Sequence, residues 1–316
     1  MCSGVARDLP DNHLDSEGGQ PAKIRTMRVA LLSIEQDVLR EKYVADDDLV
    51  VEPLRRLGHE AEFVVWRHAV DWRKYEGVVI RSTWDYQQHL PAFLSVLQEI
   101  DTQSRLANPL DILSWNSDKK IYLQDVEKRG GQIIPTIWGD SKIDDHLIQQ
   151  WFEQFQTDEL VIKPTVGANA QDAFRLERGA RDVNELRKTF DQRSYMVQPF
   201  MRGIVEEGEF SLFYFNGDYS HTILKTPQVG DFRVQEEHGG DIKPFEPSAE
   251  LLATGEKIVQ CISPTPLYAR VDFVRTESGE FAVVELELIE PSMYLRMAKH
   301  APRMFAEAID RWLSQK

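Results

Sequence analysis

Between residues 28 and 108, short apolar runs alternate with helical stretches at a spacing that leaves few folds open. Val29–Ile34 reads as a buried strand, and 46–58 reads as a helix carrying Leu49, Val50, Leu54 and Leu57 and closed by Gly58. Strands follow at Ala61–Trp66, Gly77–Ile80 and Arg105–Ala107, with a second helix at 90–100. Strands separated by helices imply a parallel sheet, so an α/β N-terminal domain is expected over 27–108, ending at Asn108-Pro109.

The rest of the chain reads differently. Helices are expected at 117–129, 181–190 and 249–262, and strands near 132–138, 160–163, 195–199, 209–215, 219–226, 268–275 and 280–288. Asn216-Gly217 and Ser278-Gly279 are hairpin turns. A last helix over 302–314 gathers Met304, Phe305, Ala308, Ile309, Trp312 and Leu313 on one face, as a docked amphipathic helix does. The expected class is a small parallel α/β domain followed by an α+β region, 109–316. Residues 1–26, poor in apolar side chains and broken by Gly18-Gly19-Gln20-Pro21, read as a flexible tail or expression remnant, with Met27 an alternative start.

Charge narrows the partners. With 37 Lys and Arg against 52 Asp and Glu, the chain carries a formal charge of −15, which disfavours nucleic acid and anionic membranes. Cys2 and Cys261 make no disulfide framework, and the longest apolar runs fall far short of a membrane span, so a cytoplasmic location is expected. The common phosphate-loop, dinucleotide and nucleophile-elbow signatures are absent, as is any His or Cys spacing suited to zinc.

The most informative stretch pairs Tyr268–Arg275 with Phe281–Ser292. On a strand alternate residues share a face, so Glu285 and Glu287 point together while Val284, Leu286 and Leu288 point away; Asp272 on the partner strand has Val271 and Phe273 behind it. Three carboxylates on one apolar-backed sheet repel each other unless a cation lies between them, and hard oxygen donors suit Mg²⁺ shared with substrate phosphates. A solvated acidic sheet face would show the same pattern, and these residues alone leave both open.

Upstream, Lys163 ends an apolar strand, Leu160-Val-Ile-Lys-Pro164, and is followed by the small-residue loop Thr165–Ala170 containing Gly167. A lysine among apolar residues wants an anion, and such a loop can bring backbone N–H groups to phosphate oxygens. Lys119 opens a helix. Met196-Val-Gln198-Pro199-Phe200 is an apolar strand stopped by proline, where backbone groups are expected to meet an adenine edge. The acidic run with Glu206 and Glu209 follows.

Taken in order, these residues resemble the ATP-grasp superfamily. The likeness runs over about 27–314 and is nearest the D-cycloserine synthetase and glutathione synthetase-like group, through Arg81-Ser-Thr-Trp-Asp-Tyr86, Trp115-Asn-Ser-Asp-Lys-Lys-Ile-Tyr122, Gly230-Asp-Phe-Arg-Val-Gln235 and Glu285-Leu-Glu-Leu-Ile-Glu-Pro-Ser292. Glu287 departs from the pattern, since many ATP-grasp ligases carry Asn there. The resemblance implies two α+β subdomains, about 117–197 and 198–316, sandwiching ATP.

It further implies ATP held by Lys119, Lys163, Gly167, Gln198, Pro199, Phe200, Glu206 (on the ribose) and Glu209, and Mg²⁺ or Mn²⁺ on Asp272, Glu285 and Glu287. Arg270, Arg233 and Lys225 would be catalytic, and Arg81, Ser82 and Ser292 would touch substrate. The implied reaction is ATP-dependent carboxylate–amine ligation through an acyl phosphate, on a small amino-acid-like substrate, with cyclisation or amide formation both open. A small-molecule kinase and an inactive nucleotide-binding scaffold remain alternatives. A homo-oligomer stays open, and no interface is legible in the sequence.

Overall fold

A computed structural model describes residues 26–315. Apart from Thr26, the tail expected over 1–26 lies outside the described residues, as does Cys2. In chain order the elements are β1 (Arg28–Ser33), α1 (Gln36–Lys42), α2 (Val51–Arg56), β2 (Glu60–Val65), β3 (Gly77–Ser82), α3 (Leu90–Gln103), β4 (Arg105–Ala107), α4 (Leu110–Asn116) and α5 (Lys119–Lys128). Then come β5 (Ile137–Gly139), α6 (Asp145–Phe155), β6 (Glu159–Pro164), β7 (Phe174–Glu177), α7 (Asn184–Thr189), β8 (Tyr195–Pro199), α8 (Gly203–Glu206), β9 (Glu209–Phe215) and β10 (Asp218–Thr226). The chain ends with β11 (Asp241–Pro244), α9 (Ala249–Gln260), β12 (Tyr268–Arg275), β13 (Phe281–Glu287) and α10 (Ala301–Ser314).

Three sheets result. The first is parallel, in the order β2-β1-β3-β4, as the strand–helix alternation requires. One of its faces, through Leu32, Val78 and Ile80, packs on Phe93, Leu97 and Ile100 of α3. The other, through Val29, Leu31 and Val79, meets Phe305, Ile309 and Leu313 of α10. Each of these buried side chains contributes about 1.5–3 kcal/mol of transfer free energy. Gly77 lets α10 approach closely, since a Cβ there would lie 2.5 Å from the Trp312 ring.

The second sheet, β5-β8-β6-β7, is antiparallel and carries α6 and α7 on its Leu160, Ile162 and Val197 face. The third, β11-β10-β9-β12-β13, is antiparallel; α5 and α9 cover its Leu212, Val271 and Phe273 face. Its other face is divided. On β9, Phe213 and Phe215 pack toward α10, whereas Glu209 and Ser211 on the same face begin a polar half. That polar half looks across a cavity to the second sheet.

The helix expected over 117–129 is α5, which Asp118 caps by accepting from the Lys120 N–H, while α4 just before it is not an expected element. The strand expected near 132–138 shrinks to β5 and an isolated bridge between Ile133 and Val283. The helix expected over 46–58 is a 3₁₀ turn, Asp47–Val50, leading into α2. Asn216 and Gly217, with φ of 56° and 83°, make the expected left-handed hairpin turn. Among the described residues no helix is long and apolar enough to cross a membrane.

Candidate active site

The polar half of the third sheet, the Lys163 face of the second, and the ends of the first sheet's loops enclose a cavity of about 650 Å³. The register of β12 against β13 sets Asp272 opposite Glu285 and Arg270 opposite Glu287. The register of β12 against β9 sets Asp272 opposite Ser211, whose hydroxyl donates to Asp272 Oδ1 at 2.5 Å. All four charged side chains line the cavity. One sequence expectation fails here. The ladder shifts after Asp272, so that Phe273 pairs with Val283, and Val284 is turned to the cavity beside Glu285 instead of joining Leu286 and Leu288 in the core. A β-bulge breaks the alternation on which the expectation rested.

Glu209, Asp272, Glu285 and Glu287 each have a lysine or arginine beside them. Lys119 Nζ lies 2.9 Å from Glu285 Oε1. Arg270 donates to both oxygens of Asp272 and to Glu287. Lys225 lies 2.5 Å from Glu209 and 3.5 Å from Asp272. Burial works against the charged form of Asp272 and Glu285, but Arg270 and Lys225 at the first, and Lys119 and Lys163 at the second, hold both below the usual carboxylate range. Burial, reinforced by Glu285 and Asp272, holds Glu287 above that range.

Asp272, Glu285 and Glu287 share a face as expected, yet they do not form a closed ligand cluster. Among the described residues no three His, Cys, Asp or Glu side chains are grouped to hold a metal ion. Arginine and lysine side chains take up the charge instead. The donor set is nonetheless all-oxygen and cavity-facing. That fits a cation completed by substrate phosphates, not a protein-only cage.

Lys163 is the exception to pairing. Among the described residues its ammonium has no ion pair or hydrogen bond within reach, and burial lowers its proton affinity although Glu285 pulls the other way. The loop after it is anchored over the cavity. Lys119 donates to the Gly167 carbonyl at 2.5 Å, Arg193 pairs with Asp172 at 2.6 Å, and the His238 ring donates to the Asn169 carbonyl at 3.2 Å.

Gln198, Pro199 and Phe200 line the cavity, with Ile134, Val161, Met201, Ile204 and Val284 forming an apolar slot beside them. The Phe200 N–H is already committed to the Glu159 carbonyl at 2.9 Å, because strand pairing continues one residue past Pro199, so it is not free for a base edge. Arg233 reaches the cavity with its guanidinium forked onto Asp231 at 2.7 Å. Ser292 lines it too, its carbonyl accepting from Arg270.

Three expected site residues stand elsewhere. Arg81 is fully buried, clamped to Asp47 at 2.8 Å and donating to the Pro291 carbonyl at 2.8 Å, and Ser82 beside it is equally buried. Their position at a strand end pointed to ligand contact, but neighbouring segments close over it. Glu206 sits exposed on the short α8, outside the cavity lining. Conversely, the sequence reading passed over Tyr43, Gln87 and Glu290, which line the cavity where it meets the first sheet. Only Glu290 carried a signal, as a third acid in the run begun by Glu285.

Comparison with known proteins agrees with this geometry. Residues 29–108 match the family described as the N-terminal domain of D-cycloserine synthetase DcsG. The cycloserine biosynthesis protein DcsG of Streptomyces lavendulae is 28% identical over 295 residues, covering 89% of this chain and 98% of that protein. The crystal structure of D-cycloserine synthetase DcsG superposes with a TM-score of 0.77 at 26% identity, covering 91% of this chain and 100% of that one. D-alanine–D-alanine ligase from Bacillus anthracis, solved with ATP, shares the fold with a TM-score of 0.66 at 15% identity over 91% of this chain and 97% of its own. The chain has the fold of the ATP-grasp ligases and is similar to D-cycloserine synthetase over about nine-tenths of its length.

Proposed function

We propose that the cavity binds Mg-ATP and a small amino-acid-like acid, transfers the γ-phosphoryl group to the acid's carboxylate, and closes an amide bond on the resulting acyl phosphate. The observation that carries this is the half-buried ammonium of Lys163, which among the described residues has no ion pair, beside the Lys119–Glu285 pair. A cavity that keeps an uncompensated cation is built to receive an anion, and phosphate oxygens supply one.

Lys163 and Lys119 neutralise phosphate charge, under the loop that Lys119 already anchors through Gly167. The apolar slot of Ile134, Val161, Met201, Ile204 and Val284 suits a purine ring. Glu285 and Glu287, with Asp272 behind them, would hold Mg²⁺, which would supply neutralisation of phosphate charge. Arg270, fixed by Asp272 and Glu287, places a rigid guanidinium next to the reacting carboxylate. Arg233 and the buried Lys225 complete the positive lining, and Ser292 meets the acid.

A carboxylate oxygen takes the phosphoryl group and ADP departs. A nitrogen lone pair then attacks the carbonyl carbon, the carbon–oxygen bond to phosphate breaks, and the nitrogen loses a proton. The anchored loop keeps water from the acyl phosphate. D-cycloserine synthetase, as a relative, favours a nitrogen within the same molecule, that is, ring closure.

The test is ADP release from Mg-ATP with a panel of amino acids and analogues, O-ureidoserine included, with and without hydroxylamine. Hydroxylamine converts an acyl phosphate to a hydroxamate whatever the natural amine. Hydroxamate from one acid, lost in Asp272→Asn, supports the ligase; a stable phosphorylated product without hydroxamate indicates a kinase.

A further inference from the structure

The apolar slot of Ile134, Val161, Met201, Ile204 and Val284 has a polar group beside it, the Gln198 amide, and that amide can stand only one way round. β5 pairs with β8 with Ile137 opposite Val197, and continuing that register by one residue sets Thr136 opposite Gln198. Gln198 Nε2 donates to the Thr136 hydroxyl at 2.9 Å, and that hydroxyl donates to the Ile134 carbonyl at 2.7 Å. A threonine hydroxyl has a single proton. Spent on the Ile134 carbonyl, it leaves Thr136 Oγ1 an acceptor only, so the end of the amide that meets it must be Nε2. Gln198 is 3% exposed and lines the cavity, and its Oε1 has no hydrogen bond among the described residues. An acceptor withdrawn from water costs free energy until a donor reaches it. Thr136 stands behind the amide, outside the cavity lining.

We propose that Thr136 is a positioning residue for choice of nucleobase: by fixing the Gln198 amide it presents Oε1 to the slot, where that oxygen accepts from the 6-amino group of adenine and rejects a 6-oxo purine. This rests on the nucleotide half of the reading above and adds what sets the base.

A purine in the slot offers either a donor or an acceptor at its 6-position. The amino group of adenine donates to Oε1 and completes a relay that runs through Gln198 and Thr136 to the Ile134 carbonyl. A 6-oxo purine sets oxygen against oxygen. To bond it the amide must turn over, which brings Oε1 to the Thr136 oxygen and draws the hydroxyl proton away from the Ile134 carbonyl. Either way one group shut away from water loses its partner, and that loss is the discrimination. The Phe200 N–H, committed to the Glu159 carbonyl, adds no reading of its own.

The experiment is titration calorimetry of Mg-ATP and Mg-ITP, whose bases differ at positions 1 and 6, on wild type, Thr136→Val, Thr136→Ser and Gln198→Met. Wild type should bind ATP about 10–100-fold more tightly than ITP. Thr136→Val, which keeps the shape of the side chain but frees the amide to turn, should bring the two within about threefold, and Thr136→Ser should keep the preference. Thr136→Val added to Gln198→Met should change the ratio no further, the mark of a residue that acts through the amide. Because the readout compares two nucleotides on one protein, a smaller folded fraction lowers both signals alike and leaves the ratio intact. A preference in Thr136→Val as large as in wild type, a further fall in the double variant, or equal binding of ATP and ITP by wild type would overturn the proposal. Base preference with the expected variant pattern, but no ADP release with any acid, would uphold the relay while the ligase reading fails. Binding of neither nucleotide would overturn both.

Discussion

Lys119 holds Glu285 at 2.9 Å with the same ammonium that donates to the Gly167 carbonyl at 2.5 Å. One side chain therefore couples the acidic strand β13 to the loop above the cavity. The ion pair to Glu285 and the position of the loop cannot be altered independently at this residue.

Lys119→Met should accordingly do two things at once. ADP release should fall by about 100-fold, the scale of losing one charge-assisted contact to developing negative charge. The 165–173 loop should be cut faster by protease in the nucleotide-free protein. Loss of activity with unchanged loop cleavage would separate the two roles and contradict the coupling.

Asp272 lies between Arg270 and Lys225 and is 2% exposed. Replacing it with Asn leaves two buried cations short of their counter-charge, a defect that costs about 3–5 kcal/mol. Urea unfolding of Asp272→Asn should show that loss together with abolished turnover. A variant as stable as wild type would mean that Glu209 and Glu287 alone compensate both cations.

Arg81 gives the opposite signature. Because its guanidinium is buried on Asp47 and the Pro291 carbonyl, Arg81→Met should destabilise by about 3–5 kcal/mol while leaving KM for both substrates within about twofold at temperatures where the protein stays folded. A large KM change in fully folded protein would restore the substrate contact expected from its strand-end position.

His221 supplies a pH test of stability. Burial lowers its imidazole from 6.5 to about 4, with the Met293 carbonyl accepting from the ring and Phe213 stacked on it. Between those values the unfolded chain binds a proton that the folded chain does not. Stability present above pH 6.5 is therefore lost as pH falls toward 4, at up to about 1.4 kcal/mol per pH unit, and no further below it. The stability difference between wild type and His221→Gln should shrink by about 2 kcal/mol from pH 6.5 to 4.5. Parallel pH profiles would show that His221 does not carry this dependence.

Much of this architecture is legible in the chain, for identifiable reasons. The buried run at β1 and the one-sided apolar face of α10 announce themselves because burial alone shapes them. The face shared by Asp272, Glu285 and Glu287 follows from period-two alternation. Edge and satellite elements do not show: β7 and β11 are four residues each, and α1 buries only Leu39, so little apolar patterning is left to read. The orientation of Val284 needed a bulge that no spacing reveals. Arg81 and Glu290 both depend on what a distant segment does. Pro291 lies 210 residues from Arg81 and Gln87 lies 203 from Glu290, and only folding decides that the arginine is sealed and the glutamate faces the cavity.

The central claim is that a substrate carboxylate oxygen passes to phosphate. An acid found active in the hydroxamate panel, labelled with ¹⁸O in its carboxylate, should be turned over with Mg-ATP and the inorganic phosphate analysed by mass spectrometry. The account predicts one ¹⁸O in each phosphate released. Phosphate free of label, with product formed at the same rate, would show that the carboxylate was never phosphorylated and would contradict it.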